Sequence, residues 1–175
     1  MVIFNILFAF IISCCNSTRK DNLNTELLKD LGKPELTAYT NLDSALFCSK
    51  TNEKPVLLMF YANRNIADRN ILTHKLSDSI LSSIIGDNFV FVKLQVDAID
   101  TAFINPDDSL DIITSGDINY KMQIEMFNTN EQPLLAVLNE KGSAVTEPVG
   151  FSCLNKKADF FRFLIDGWIA YKKEK

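Results

Sequence analysis

A chain of 175 residues, 47% hydrophobic and 23% charged, is long enough for one domain with a full core and leaves no room for a second. Its 18 basic and 22 acidic residues give a net charge of -4, and the longest basic cluster is the closing "KKEK", which argues against a basic nucleic-acid-binding face. Of the four cysteines, Cys14 and Cys15 stand at the end of an apolar leader, so Cys48 and Cys153 alone remain and a disulfide-stapled scaffold is excluded.

Residues 2–12 are apolar apart from Asn5, a run too short to span a hydrocarbon core of roughly 30 Å. They read as the h-region of a secretory signal, although the first basic residue is Arg19, after the run rather than before it. "IISC", ending in Cys14, resembles the lipobox of bacterial lipoproteins, in which cleavage leaves the cysteine as the first, lipid-bearing residue. That resemblance implies a signal peptide with lipobox over residues 1–14, lipidation at Cys14, and a membrane-anchored lipoprotein of the cell envelope facing the periplasm. An uncleaved anchor and a plain signal peptide remain open. Residues 15–35 are polar and suit a tether, with a short helix near 23–31 ended by Gly32 and Pro34.

The domain proper occupies residues 36–175. Leu42, Ala45, Leu46 and Ser49 have helical spacing, Asn41 is a suitable cap, and Cys48 in that helix reads as a small buried apolar side chain. "PVLLMFY", residues 55–61, is a continuous apolar run and predicts a strand buried on both faces. A helix over 66–77, a second over 80–85 stopped by Gly86, and a strand over 88–97 follow, so the first two strands form a βαβ unit and are parallel. Residues 98–117, with Pro106, Gly116 and six acidic residues if Asp97 is counted, read as an inserted surface loop. Residues 118–127 predict a helix with Ile118, Met122, Ile124 and Met126 near one stripe. "PLLAVLNEKGSAVTEPVGF" predicts a hairpin turning at 140–142, and the last helix should turn Phe160, Phe163, Leu164, Trp168 and Tyr171 inward. The order is βαβαββα.

Two of these stretches carry a resemblance. "KPVLLMFYANRNIADRNI" is similar to the strand and active-site helix of thioredoxin-like proteins, and "NEQPLLAVLNEKG" to their cis-proline strand and hairpin, with "VGF" in its usual place before the last helix. Residues 36–172 resemble the C-terminal thioredoxin domain of DsbD-type thiol:disulfide interchange proteins and exported bacterial thioredoxin-family lipoproteins. The resemblance implies an α/β thioredoxin-like fold, a central mixed sheet flanked by helices, and no cofactor.

The family's Cys-x-x-Cys pair, aligned on Arg69, falls on Asn65 and Asp68. Exchange requires a thiolate to attack and a second sulfur to resolve the mixed disulfide; an amide and a carboxylate do neither. Asn65 is instead expected to cap the helix, and Asp68 at the third position to be held as a carboxylate by the helix dipole. Pro133 matches the cis-proline, and the family's peptide groove maps onto a rim of Asn63, Arg64, Asn65, Gln132, Pro133, Gly150 and Phe151. A cis bond kept only for the hairpin stays open as an alternative.

Other chemistry is thinly supported. His74, the single histidine, lies two turns into the helix and reads as a surface residue, and one histidine with two separated cysteines is too few ligands for zinc. Asn105, Asp107, Ser109 and Asp111 alternate like the start of a calcium loop, but Leu110 stands where its glycine belongs. Cys153 should open the last helix, where the dipole could lower its pKa, although an unreactive cysteine is favoured; pairing with Cys48 is disfavoured because the family layout places them on opposite faces of the sheet. Three functions follow. The first is a redox-inactive module binding a peptide or envelope protein at the old groove. The second is a thiol:disulfide oxidoreductase acting through Cys153 or a partner's cysteines, and the third a structural domain of an envelope assembly.

Overall fold

The computed structural model describes residues 36–104 and 112–175. The leader with Cys14, the tether and "NPDDSLD" lie outside the described residues.

The organising element is β1 (Val56–Tyr61), in which Val56, Leu57, Leu58, Met59 and Phe60 are each fully buried. An apolar run with no polar face can only sit inside a sheet covered on both sides. It pairs in parallel with β2 (Val90–Gln95) and antiparallel with β5 (Leu134–Leu138), giving the mixed order β2-β1-β5. Alternation along the strands divides the core. Leu57 and Met59 join Phe91, Leu135 and Val137 on one face, while Val56, Leu58 and Phe60 join Val92, Leu94 and Ala136 on the other.

The second face is covered by α1 (Leu42–Asn52) and α4 (Ser115–Phe127). Asn41 caps α1 as expected, its side chain accepting from Ser44 N at 2.9 Å, and Cys48 is buried at 6% exposure. Cys153 packs against the other face, so the two free cysteines lie on opposite sides of the sheet. α4 begins earlier than expected, at a capping box of Thr114 and Asp117. Its inward residues are Gly116 and Gln123, whereas Ile118 is 44% exposed. Gly116 is required there, because a Cβ would fall 2.5 Å from the carbonyl oxygen of Ala98.

The first face is covered by α3 (Ser79–Asn88), α5 (Phe151–Asn155) and α6 (Lys157–Lys173), with Ile71 and Leu76 from the segment after α2 (Ile66–Asn70) in the same core. The single helix expected over 66–77 is α2 followed by a π-helical turn, Ile71–Lys75, in which Leu76 N donates to Ile71 O at 3.0 Å. Ile71 and Leu76 are both buried. In an α-helix, residues five apart point about 140° from each other, and the wider turn brings both into the core. Gly86 does not stop α3, which starts at an Asp78 cap and runs on to Asn88 before Phe89 turns extended.

Residues 98–117 are more than a surface loop: β3 (Thr101–Ile104) and β4 (Ile112–Thr114) pair antiparallel in a separate sheet. The second arm of the expected hairpin is not a regular strand. It meets β5 only at the bridges Leu138–Ala144 and Leu135–Val149, and Pro148 has no N–H for a ladder. In α6, Phe160, Phe163, Leu164 and Tyr171 face inward as expected, but Trp168 is 38% exposed. Gly167 takes the inward place beside Val137, and Trp168, one residue further on, is rotated about 100° away.

Candidate functional site

The turn of residues 62–65, between β1 and α2, is held by two carboxylates. Asp97, just past β2, accepts from Asn63 N through Oδ1 and from Arg64 N through Oδ2, each at 2.8 Å, and from Gln95 Nε2 at 2.9 Å. Asp68 reaches back from α2 to accept from Ala62 N. Three consecutive backbone donors are thus satisfied by side chains in a turn that no ladder can reach. Partial burial pushes the Asp97 carboxyl up, but the N–H groups of Asn63 and Arg64 and the Gln95 amide outweigh it and leave its pKa below the ordinary value.

Asn65 caps α2 as the sequence implies, its Oδ1 accepting from Ala67 N at 2.9 Å. Its Nδ2 donates across the site to Gln132 O at 3.4 Å, a long and weak bond. Asn65→Ala is expected to lower stability by about 0.5–2 kcal/mol in denaturant unfolding, the usual worth of a cap. A midpoint unchanged from the native protein would remove the cap from the account.

Asp68 differs from expectation. It is fully buried, at 0% exposure, and burial drives its pKa up; the Ala62 N–H lowers it in part, and the charge of Asp97 raises it further. Desolvation therefore outweighs the helix dipole, whose contribution is only about 0.3–1 kcal/mol. Its second oxygen, Oδ1, is buried without a hydrogen-bond partner among the described residues. This position holds a buried acid and not the dipole-stabilised carboxylate that the sequence suggested.

Opposite the turn lies the loop before β5. The Gln132–Pro133 peptide bond is cis, and Pro133 is buried. Asn63 and Arg64 are exposed, Asn65, Gln132 and Gly150 half-buried, and Phe151 is 38% exposed. Direct contacts join Asn65 to Gln132 and Gly150 to Glu131, whose carboxylate lies where a side chain at position 150 would point. Of the expected rim residues, Asn65 and Gln132 are the pair that a hydrogen bond joins across the site among the described residues.

Three contributors escaped the sequence. Asp97 looked like one more loop acid. Gln123 stood between Met122 and Ile124 with nothing to mark it, yet it is fully buried, donating to Glu131 O at 2.7 Å and accepting from Gln132 Nε2 at 3.1 Å. Nothing in the sequence singled out Glu131. A polar side chain in the middle of a helix has a local signature only when its partner is near in sequence, and Gln123 binds eight and nine residues away.

Cys153 is half-buried in α5, and burial pushes its thiol up, with the charge of Asp159 adding to the rise. It packs against the core from a helix of only five residues, and its pKa moves up, not down as the sequence allowed. His74 is exposed in the π-helical turn. Among the described residues no three His, Cys, Asp or Glu side chains are placed to hold a metal, and no helix is long and apolar enough to cross a membrane.

No family model matches the chain, and no curated protein matches it. Among solved structures it is similar to a DsbH oxidoreductase, with a TM-score of 0.57 and 15% identity over 86% of this chain and 96% of that one. It is also similar to a thioredoxin from Thermus thermophilus, with a TM-score of 0.53 and 18% identity over 75% of this chain and 86% of that one. At such identities the shared property is architecture, and with its mixed sheet flanked by helices the chain has a thioredoxin-like fold.

Proposed function

We propose that this domain is a redox-inactive member of the thioredoxin-like group, of DsbD-type ancestry, which holds an extended peptide or a partner protein at the former active-site groove of a membrane-anchored envelope protein. The observation that carries this reading is the engagement of Asn65 and Asp68. One caps α2 and reaches Gln132 and the other ties down Ala62 N, and aligned on Arg69 both fall where the exchange chemistry of the resembled family needs sulfur. The raised pKa of Cys153 keeps it a thiol at neutral pH, which argues against its service as a substitute nucleophile. Gln132 N–H donates to none of the described residues, and the Asn65 bond to Gln132 O is weak enough for a peptide N–H to replace. Both backbone groups of Gln132 are therefore open to strand-like pairing with a ligand, with side-chain contacts at the rim adding selectivity.

The test is insulin reduction by the full-length protein with dithiothreitol as electron donor, beside its Cys153→Ser variant. Turnover at the uncatalysed background is expected for both. Turnover that disappears in the variant would establish the oxidoreductase reading through Cys153 instead, and turnover that persists would mean that another group at the site is active.

A further inference from the structure

α6 has two apolar faces, and the sheet uses only one. Phe160, Phe163, Leu164 and Tyr171 pack inward, while Ile165 is 55% exposed, Trp168 38% and Ile169 40%. Between this outer face and α3 lies an apolar hollow of about 240 Å³, walled by Ile84, Phe89, Phe161, Ile165 and Trp168, with Asn88 as its polar residue. The Asn88 amide is already engaged, donating to Ile84 O at 2.9 Å. A specific protein interface carries about one hydrogen bond per 100–200 Å², and this wall offers few polar groups with which to fix a partner's register, the Trp168 indole N–H and the rest of the Asn88 amide. It favours an occupant that needs contact without register, as acyl chains do.

The margin of the hollow has the complementary chemistry. Lys172 Nζ lies 5.5 Å from the centre of the Trp168 ring, and Lys157 Nζ lies 5.8 Å from that of Phe161. Lys157 is paired with Asp78, but neither Lys172 nor Lys173 has a carboxylate within 4 Å among the described residues, although the chain as a whole is acidic at -4. The Trp168 indole N–H makes no hydrogen bond to the described residues. An apolar wall, a tryptophan with a free polar edge and unpaired lysines beyond it are the elements of an interfacial membrane contact. Asp87 and Asp166, both exposed on the same two helices, oppose the attraction without lying in the wall.

We propose that the outer face of α6, together with the hollow beside α3, rests on an anionic lipid surface, with Trp168 at the headgroup level and Lys172 and Lys173 against the phosphates. This contact is independent of the groove reading and of lipidation at Cys14.

Trp168 is the only tryptophan of the chain, so its emission reports on this face alone. The full-length Cys14→Ser protein, which carries no lipid, is titrated with vesicles of phosphatidylglycerol and phosphatidylcholine, and separately with phosphatidylcholine alone. A blue shift that saturates with the anionic vesicles is expected. Ile165→Asp and the double change Lys172→Glu with Lys173→Glu, both at exposed positions, should each raise the lipid concentration for half-shift by about tenfold or more, with unchanged circular dichroism. No shift with anionic vesicles, or the same titration curve in both variants, would overturn the proposal. A shift that grows with protein concentration in the absence of vesicles would overturn it in favour of a second copy covering the face.

Discussion

Gly167→Leu is expected to abolish folding of the domain, and Gly167→Ala to destabilise it by up to about 2 kcal/mol, read as a lower midpoint in urea. A Cβ at position 167 would lie 2.5 Å from Cγ2 and 2.9 Å from Cβ of Val137, well inside van der Waals contact. Val137 is fully buried in β5 and is β-branched, so it has no free rotamer to retreat into. Replacing a helical glycine by alanine should otherwise gain about 1 kcal/mol of helix propensity, which works against the loss from overpacking of about 1–3 kcal/mol. The clash should win. Val137→Ala in the Gly167→Ala background should recover part of the loss, giving a favourable coupling in a double-mutant cycle. If Gly167→Ala alone stabilises the protein, α6 does not approach the sheet as closely as described.

The second large effect concerns pH. The Asp68 pKa is raised above its ordinary 3.8, so the folded state binds this proton more tightly than the unfolded chain does. The stability that the neutral carboxyl contributes is fully present below the unfolded pKa and is lost as the pH rises through the folded one. Each pH unit between the two is worth about 1.4 kcal/mol. Asp68→Asn never ionises and keeps an oxygen for Ala62 N. It should therefore be more stable than the native protein at pH 7, with the difference shrinking towards zero as the pH approaches 4. Asp97 has the opposite dependence, since its lowered pKa contributes stability above the unfolded value that is lost as the pH falls through the folded one. Asp97 is present in both proteins, so the comparison isolates Asp68 apart from the coupling between the two. Urea midpoints measured from pH 4 to pH 8 make the test; a difference constant across that range would show that Asp68 is not a buried acid.

The same two acids hold the turn of the candidate site. The turn of residues 62–65 lacks a ladder partner, and Asp68 and Asp97 together occupy three of its N–H groups. Cysteine at position 68 could not accept from Ala62 N with comparable strength, because sulfur is a weak acceptor. An acid at position 68 therefore anchors the turn facing Gln132 more firmly than a thiol would.

The sequence by itself determined the layers of the fold. The unbroken apolar run of Val56–Tyr61 required a strand covered on both faces, the helical order between the first two strands required a parallel pair, and Asn41 and Asn65 marked helix starts, because these signals are local and repeat with the period of the element that they build. What only the tertiary structure decided was the environment of each marked residue. Asp68 looked like a helix-end carboxylate until packing enclosed it, Trp168 looked inward until Gly167 took the place against Val137, and Gln123 was anonymous until the loop before β5 came within its reach. Desolvation, close approach and long-range hydrogen bonds depend on groups distant in the chain, and no periodicity of the sequence records which of them will meet.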